Sequence, residues 1–209
     1  MTKKKYQSLR NKALMEFREA GGILRTSEAI RRGIHPEILY ELRDQGLLRQ
    51  VHRGIYALNE FTDLEAFDYA PIVKLAPTGV ICLTTALAYH HLTVQIPKWI
   101  DVAIPKEQNI VQISHPPTEF HWFSDRVFYS GIEIHNIGGI DVRIYSPEKT
   151  IIDCFRQRKK VGAEVALEGL KMYIQTKDWN LKALYQFAKE SRVTKIIDPY
   201  IEVLIHDQS

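Results

Sequence analysis

Glycine punctuates the first sixty residues so closely that neither a long helix nor a broad sheet fits between the stops. Gly21-Gly22, Gly33, Gly46 and Gly54 each supply the backbone freedom at which helices end and hairpins turn. Ahead of the first stop, residues 6–20 place Leu9, Ala13, Leu14 and Phe17 on one helical face, which predicts an amphipathic helix. After Ile23-Leu24-Arg25, Thr26 is expected to N-cap a helix of barely two turns over residues 27–32 that ends at Gly33. His35 precedes Pro36, a residue suited to the first helical position, and residues 37–45 predict a third helix closed by Gly46. On its wheel His35, Ile38, Leu39 and Leu42 share one face, Pro36, Glu37, Tyr40 and Asp44 lie opposite, and Arg43 flanks them. Residues 47–51 and 55–58 read as short strands joined through His52-Arg53-Gly54.

Helix, short helix, tight turn, third helix and basic hairpin make up a winged helix-turn-helix. Such a third helix can enter a major groove because one face docks on its neighbours while the other stays free for base edges. Charge agrees with this use. The formal net charge of +3 divides into twelve basic against seven acidic residues through Glu60, and sixteen against eighteen beyond it. A basic head on a nearly neutral body is the pattern of a polyanion-binding module attached to a domain with another task. Phosphate contacts are expected from Arg25, Arg31, Arg32, Arg43 and the wing residues Arg49, His52 and Arg53. Base choice falls to Glu37, Tyr40, Arg43 and His35. Glu37, Glu41 and Asp44 would repel phosphates, and a winged helix can also bind proteins, so a protein-interaction role stays open.

From Phe61 the texture changes. Residues 63–75 have helical period, with Pro71 arguing for a kink or an early end. Residues 80–91, VICLTTALAYHH, read as one apolar helix. Strands are expected over 99–104, 119–123, 132–137 and 140–145, the last two joined by a tight turn at Gly138-Gly139. Ser146-Pro147 opens a helix over 148–158, and further helices cover 163–175, 181–190 and 196–205. Helices, then a small mostly antiparallel sheet, then helices define an α+β fold: an N-terminal winged helix-turn-helix over 1–60 and a mixed α/β domain over 61–209.

Chemical motifs are sparse. Ser146 and Lys149 have S-x-x-K spacing but lack the companion motifs of serine acyl enzymes, and Ser-Pro is an ordinary helix opening. His115 and His121 have no third ligand at zinc spacing, and His90-His91 suits a helix end or a core neighbour. Asp101 and Asp141 sit in strands, as nuclease carboxylates can, without a confirming lysine or glycine-serine signature. No phosphate loop or dinucleotide fingerprint is present. No enzymatic role, cofactor or metal is therefore expected. Cys82 and Cys154 lie in apolar runs and read as buried thiols. The start, MTKKKYQSLRNK, has no apolar run behind its lysines to make a signal peptide, and no stretch is long enough to span a membrane, so a cytoplasmic protein is expected. Arg156, Arg158, Lys159 and Lys160 form a second basic cluster, read as solvated helix-end charges or as a second anionic contact.

The stretch GGILRTSEAIRRGIHPEILYELRDQGLLRQVHRGIYAL resembles the N-terminal winged helix of AbiEi-type antitoxins. ALAYHHLTVQIPKWIDVAIP and YSGIEIHNIGGIDVRIYSPEKTIIDCFRQRKKVGAEVALEGL resemble that family's C-terminal domain. The likeness runs from about residue 8 to 205, and the R-G-[IV]-Y end of the wing and S-P-x-K-T-x-x-D-C-F are its most specific pieces. It implies a bacterial type IV antitoxin that binds inverted repeats in its own promoter as double-stranded DNA and represses transcription. It also implies that the C-terminal domain counteracts a nucleotidyltransferase-like toxin without a stable complex. The DNA-binding positions it carries over are Thr26, Ser27, His35, Pro36, Tyr40, Arg43, Arg49, His52 and Arg53. For the antitoxin function the candidates are Lys149, Asp153, Arg156, Arg158 and Lys160, with Lys149 and Asp153 spaced to pair with each other. The alternative is a solitary regulator whose second domain senses a ligand or dimerises.

Overall fold

The computed structural model describes residues 3–60, 64–109, 113 and 116–206. They form two compact units, one built mainly from the chain up to Pro77 and the other mainly from the chain after it. The fold is α+β.

In the first unit α1 (Lys3–Glu19) buries Ala13 and Phe17. It leads into β1 (Ile23–Arg25), α2 (Thr26–Arg31), α3 (Pro36–Asp44) and the hairpin β2 (Leu48–His52) and β3 (Ile55–Leu58). Ile23-Leu24-Arg25, which has no strand period of its own, pairs antiparallel with β3 in a three-stranded sheet of order β1-β3-β2. Between Gln50 and His52 the β2–β3 register shifts by one residue. A bulge of this kind sharpens the local twist and re-aims the turn that follows.

The turns after α2 and α3 are built alike. Gly33 (φ 82°) and Gly46 (φ 70°) occupy the left-handed region. The N–H of Ile34 reaches Ala29 O at 2.9 Å, and that of Leu47 reaches Leu42 O at 2.9 Å. Each pair closes a Schellman motif, which satisfies the last helical carbonyls and turns the chain back toward the core. Ile38, Leu39 and Leu42 are the buried face of α3, packed with Phe17, Leu24 and Tyr56. His35 does not share that face. It sits before the helix with extended backbone (φ −70°, ψ 140°), where the 3.6-residue wheel no longer describes side-chain direction. Thr26 differs from expectation as well: Arg25 holds the extended N-cap position, and Thr26 is already helical.

Helix α4 (Leu64–Leu75) continues through Pro71. The ring removes one backbone donor, while Tyr69, Ala70 and Ile72 are buried beside it. Their burial outweighs the local preference to stop.

The second unit begins with β4 (Val80–Ile81), α5 (Leu83–Tyr89), β5 (Ile100–Pro105) and β6 (Thr118–Phe123). It continues with α6 (Asp125–Phe128), β7 (Ile132–Ile137) and β8 (Ile140–Tyr145), of which Asn136–Val142 is counted with the first unit. Five helices close it: α7 (Pro147–Arg156), α8 (Arg158–Val161), α9 (Ala163–Ile174), α10 (Leu181–Glu190) and α11 (Thr194–His206). The apolar run over residues 80–91 is thus not one helix. Val80 and Ile81 form the middle strand of a sheet ordered β6-β5-β4-β8-β7, and only the part from Leu83 is helical. A continuous apolar run has no period to separate a buried strand from a buried helix, and two β-branched residues at its start favour the strand. The sheet is mixed: β4 pairs antiparallel with β5 but parallel with β8, and β5 pairs parallel with β6. This is more parallel pairing than the hairpin-rich order suggests. Among the described residues no helix is long and apolar enough to cross a membrane.

Helix α7 occupies the centre of the second core. Ser146 caps it by accepting the Lys149 N–H at 3.3 Å, and Pro147 follows at the first position. Ile151, Ile152, Cys154 and Phe155 are buried against α5, α9 and α10. Burial pushes the Cys82 and Cys154 thiols well above their ordinary pKa, which leaves both protonated and unreactive.

Candidate nucleic-acid interface

The outward stripe of α3 carries Pro36, Glu37, Tyr40 and Arg43, spaced so that their side chains project to one side. Tyr40 is 45% exposed, and the Arg43 guanidinium lies 5.4 Å from its ring centre. Arg43 also holds the Asp44 carboxylate, with Nε and Nη2 at 2.9 and 2.8 Å from Oδ1. That hydrogen bond raises the Arg43 pKa. One of the acids expected to repel phosphate is therefore matched by its neighbour. A second, Glu41, accepts from Gln45 Nε2 at 3.1 Å. Glu37 stays exposed at the first turn of the helix.

His35 caps α3 through Nδ1, which accepts the Glu37 N–H at 3.4 Å. An accepting Nδ1 leaves the proton on Nε2, so the neutral ring presents an outward donor suited to phosphate or to a base acceptor. His52 has the opposite arrangement. Its Nδ1 donates to Arg53 O at 3.2 Å, so its neutral ring turns an acceptor outward.

The wing is tied to the start of α2. Gly54 O accepts both the N–H of Thr26, at 2.8 Å, and its hydroxyl, at 3.3 Å. The Thr26 hydroxyl thus anchors the hairpin turn rather than capping a helix, and Arg53 is left exposed at the wing tip. Ser27 and Arg31 are exposed on α2, whereas Arg25, at the end of β1, is half-buried. Arg32 is committed to Glu16 of α1 at 3.1 Å, and Arg49 is half-buried within β2. Among the described residues Arg25, Arg31 and Arg53 carry no ion pair, and of these Arg31 and Arg53 are exposed, which makes them the most available cations of this set.

Lys12 belongs with them, although sequence reading gave it no contact. It is exposed on α1 and reaches the α2–α3 turn, where its Nζ comes within 3.7 Å of the place a Cβ on Gly33 would take. With Gly33, Ile34 and His35 it lines a small recess beside the start of α3. The signal was its position next to Ala13, at the edge of the buried stripe of α1, where a long amine drapes over the neighbouring turn.

In the second unit the antitoxin candidates separate into core and surface. Lys149 and Asp153 pair with each other and are 1% and 0% exposed as side chains, and Arg156 Nε joins Asp153 at 3.2 Å. Desolvation lowers the Lys149 pKa, against the opposing pull of Asp153. Arg156 lies 4.2 Å from the centre of the Phe123 ring, and Arg158 Nη1 donates to Phe155 O at 3.0 Å. Lys160 pairs with Glu119 and meets His121. Only Lys159 of that cluster is a plain solvated charge. Asp101 is buried in β5, while Asp141 is exposed in β8 and accepts from Asn136 at 2.8 Å. Among the described residues no three His, Cys, Asp or Glu side chains converge on a metal-sized site; His115 lies outside them.

The chain is similar to the crystal structure of the RV2827C protein from Mycobacterium tuberculosis. The TM-score is 0.59 at 13% identity, over 92% of this chain and 77% of that one. No curated protein matches. The family described as "Transcriptional regulator, AbiEi antitoxin" matches over residues 11–59, the span from mid-α1 to just past the wing. The head of this chain therefore carries a domain of the AbiEi antitoxin and transcriptional-regulator family.

Proposed function

We propose that the protein represses its own promoter as the antitoxin of a type IV toxin–antitoxin pair, with DNA binding in residues 1–60 and antitoxin activity in 61–209. The observation that carries the DNA-binding half is the shared exposure of the α3 stripe, Arg31 and the wing tip Arg53 within a winged helix-turn-helix. Tyr40, Glu37 and the Nε2–H of His35 read bases in the major groove, while Arg31, Arg53 and Lys12 hold phosphates. Thr26, Arg32 and Arg43 act mainly by fixing the elements that present these groups. The partner in the second half is a nucleotidyltransferase-like toxin, met without a stable complex in the cytoplasm and without catalysis by this chain. Of the proposed antitoxin residues, Arg156, Arg158 and Lys160 reach solvent, and Lys149 and Asp153 support them from the core.

Co-expression with the adjacent reading frame tests both halves at once. Full-length protein should rescue growth and silence a reporter behind its own upstream region, and Arg53→Ala should lose silencing while keeping rescue. Silencing without any rescue would favour a solitary regulator. Rescue that is lost together with silencing in Arg53→Ala would contradict the division of labour.

A further inference from the structure

A cluster of buried polar groups in the second unit opens onto a cavity of about 220 Å³. Strands β5 and β6 run parallel with Asp101 opposite Glu119 and Ala103 opposite His121, so alternation brings Asp101, Glu119 and His121 to one face. Asp101 and His121 are 4% and 5% exposed. Asp101 Oδ1 accepts from His121 Nε2 at 2.8 Å and from the Trp99 indole N–H at 3.0 Å. Its Oδ2 accepts the Thr85 N–H at 3.4 Å, and its own N–H donates to the Thr85 hydroxyl at 2.9 Å.

These bonds set the ring of His121. With its proton on Nε2, the bare Nδ1 accepts from the Lys160 ammonium at 3.3 Å, and a second Lys160 proton serves Glu119. An ammonium has three donors. The third is left for the cavity, which Lys160 lines together with Lys98, Gln95 and Trp99. Leu83, Ile96 and Pro97 complete its apolar wall. Leu83 holds φ 47°, a left-handed backbone that is strained for leucine and persists where surrounding structure enforces it.

Stability alone does not call for this chain of groups. The Asp101–His121 pair is buried, while Lys160 and Glu119 at its outer end are half-exposed. A buried charge held by polar partners is commonly no more stable than apolar side chains of the same volume. Here the outcome is to fix one ammonium and one indole at the rim of an opening. We propose that the cavity binds a small planar ring bearing one anionic group, the anion on Lys160 and Lys98 and the ring against Trp99. The volume lies below the roughly 300–1,000 Å³ of drug-sized sites, which points to a single ring. Carboxylate and phosphate offer the same oxygen acceptors to the two ammonium groups.

Full-length protein titrated with benzoate, phenyl phosphate, inorganic phosphate and benzylamine, followed by tryptophan emission and by Tm, tests the assignment. Benzoate or phenyl phosphate should saturate with Kd of about 1 mM or tighter and raise Tm, and benzylamine should not. Binding of one and not the other identifies the carboxylate or the phosphate as the anion. Lys160→Met should weaken binding about tenfold. Glu119→Gln, which releases the competing carboxylate, should strengthen it, with circular dichroism confirming both folds. Trp99→Phe should remove the emission change and keep a reduced shift in Tm. Failure of both ring anions to saturate the folded protein overturns the proposal, as does an unchanged Kd in Lys160→Met and Glu119→Gln. Inorganic phosphate binding as tightly as phenyl phosphate would overturn the ring half of it.

Discussion

Lys149 shows how much a single side chain can demand of its surroundings. Its ammonium is buried, lies 4.2 Å from the centre of the Tyr145 ring, and is compensated by Asp153. Removing the partner strands the charge, so Asp153→Ala should cost about 3–5 kcal/mol in urea unfolding. Lys149→Met with Asp153→Leu leaves only the part-exposed Arg156 without its carboxylate and should cost distinctly less. Equal losses in the two variants would show that the pair itself is the stabilising element. His90 makes a second prediction. Burial lowers its pKa below the ordinary 6.5, and its Nε2 donates to Tyr145 O at 2.7 Å. The unfolded chain therefore takes up this proton first as pH falls. Stability should be full above about 6.5 and decline as the pH drops from there to the folded value. A series of melts should show His90→Gln flattening this part of the profile; an identical profile would remove His90 as its source. Such residues were only partly legible beforehand. Ser146-Pro147 and the Lys149–Asp153 spacing are local signals, and both lie where they were expected. The contacts of Asp101 with Thr85, His121 and, through His121, Lys160 join residues far apart in sequence, and no spacing rule records them.

At the scale of elements, glycine was the most readable residue. Gly46 ends α3 with φ 70° and nothing within 4 Å of a Cβ built on it. Gly46→Ala should therefore lower stability by about 1–2 kcal/mol through backbone strain alone, measured by chemical denaturation. A loss below a few tenths would mean that the turn relaxes at no cost. Thr26 makes the complementary case: its helical region was legible, its role was not, because the carbonyl that it holds belongs to Gly54. Thr26→Val keeps the shape and removes one hydrogen bond, which should cost about 0.5–1.5 kcal/mol and weaken DNA binding by loosening the wing. Strand β4 marks the limit of periodicity. Two buried β-branched residues ahead of a short helix carry no pattern of their own, and only their neighbours in the sheet identify them as a strand.

Across the whole molecule, the division of charge remains the feature with the longest reach. A formal +3 hides twelve basic residues against seven acidic ones in the first sixty positions. Several of those charges are spoken for in the fold, Arg32 by Glu16, Arg18 by Glu60 and Arg43 by Asp44. Among the described residues, the exposed cations left without an ion pair include Arg31 on α2, Arg53 at the wing tip and Lys12. Salt dependence reads that number directly, because each phosphate neutralised adds about 0.9 to the slope of log K against log salt. The decisive measurement is fluorescence anisotropy on the chain's own upstream duplex and on a scrambled one, across a salt series, for wild type and for Arg31→Ala and Arg53→Ala. Tighter binding to the upstream duplex, and a slope reduced by about 0.9 in each variant, is the expected result. Equal affinity for the two duplexes, or slopes unchanged by both substitutions, would contradict DNA recognition through this face.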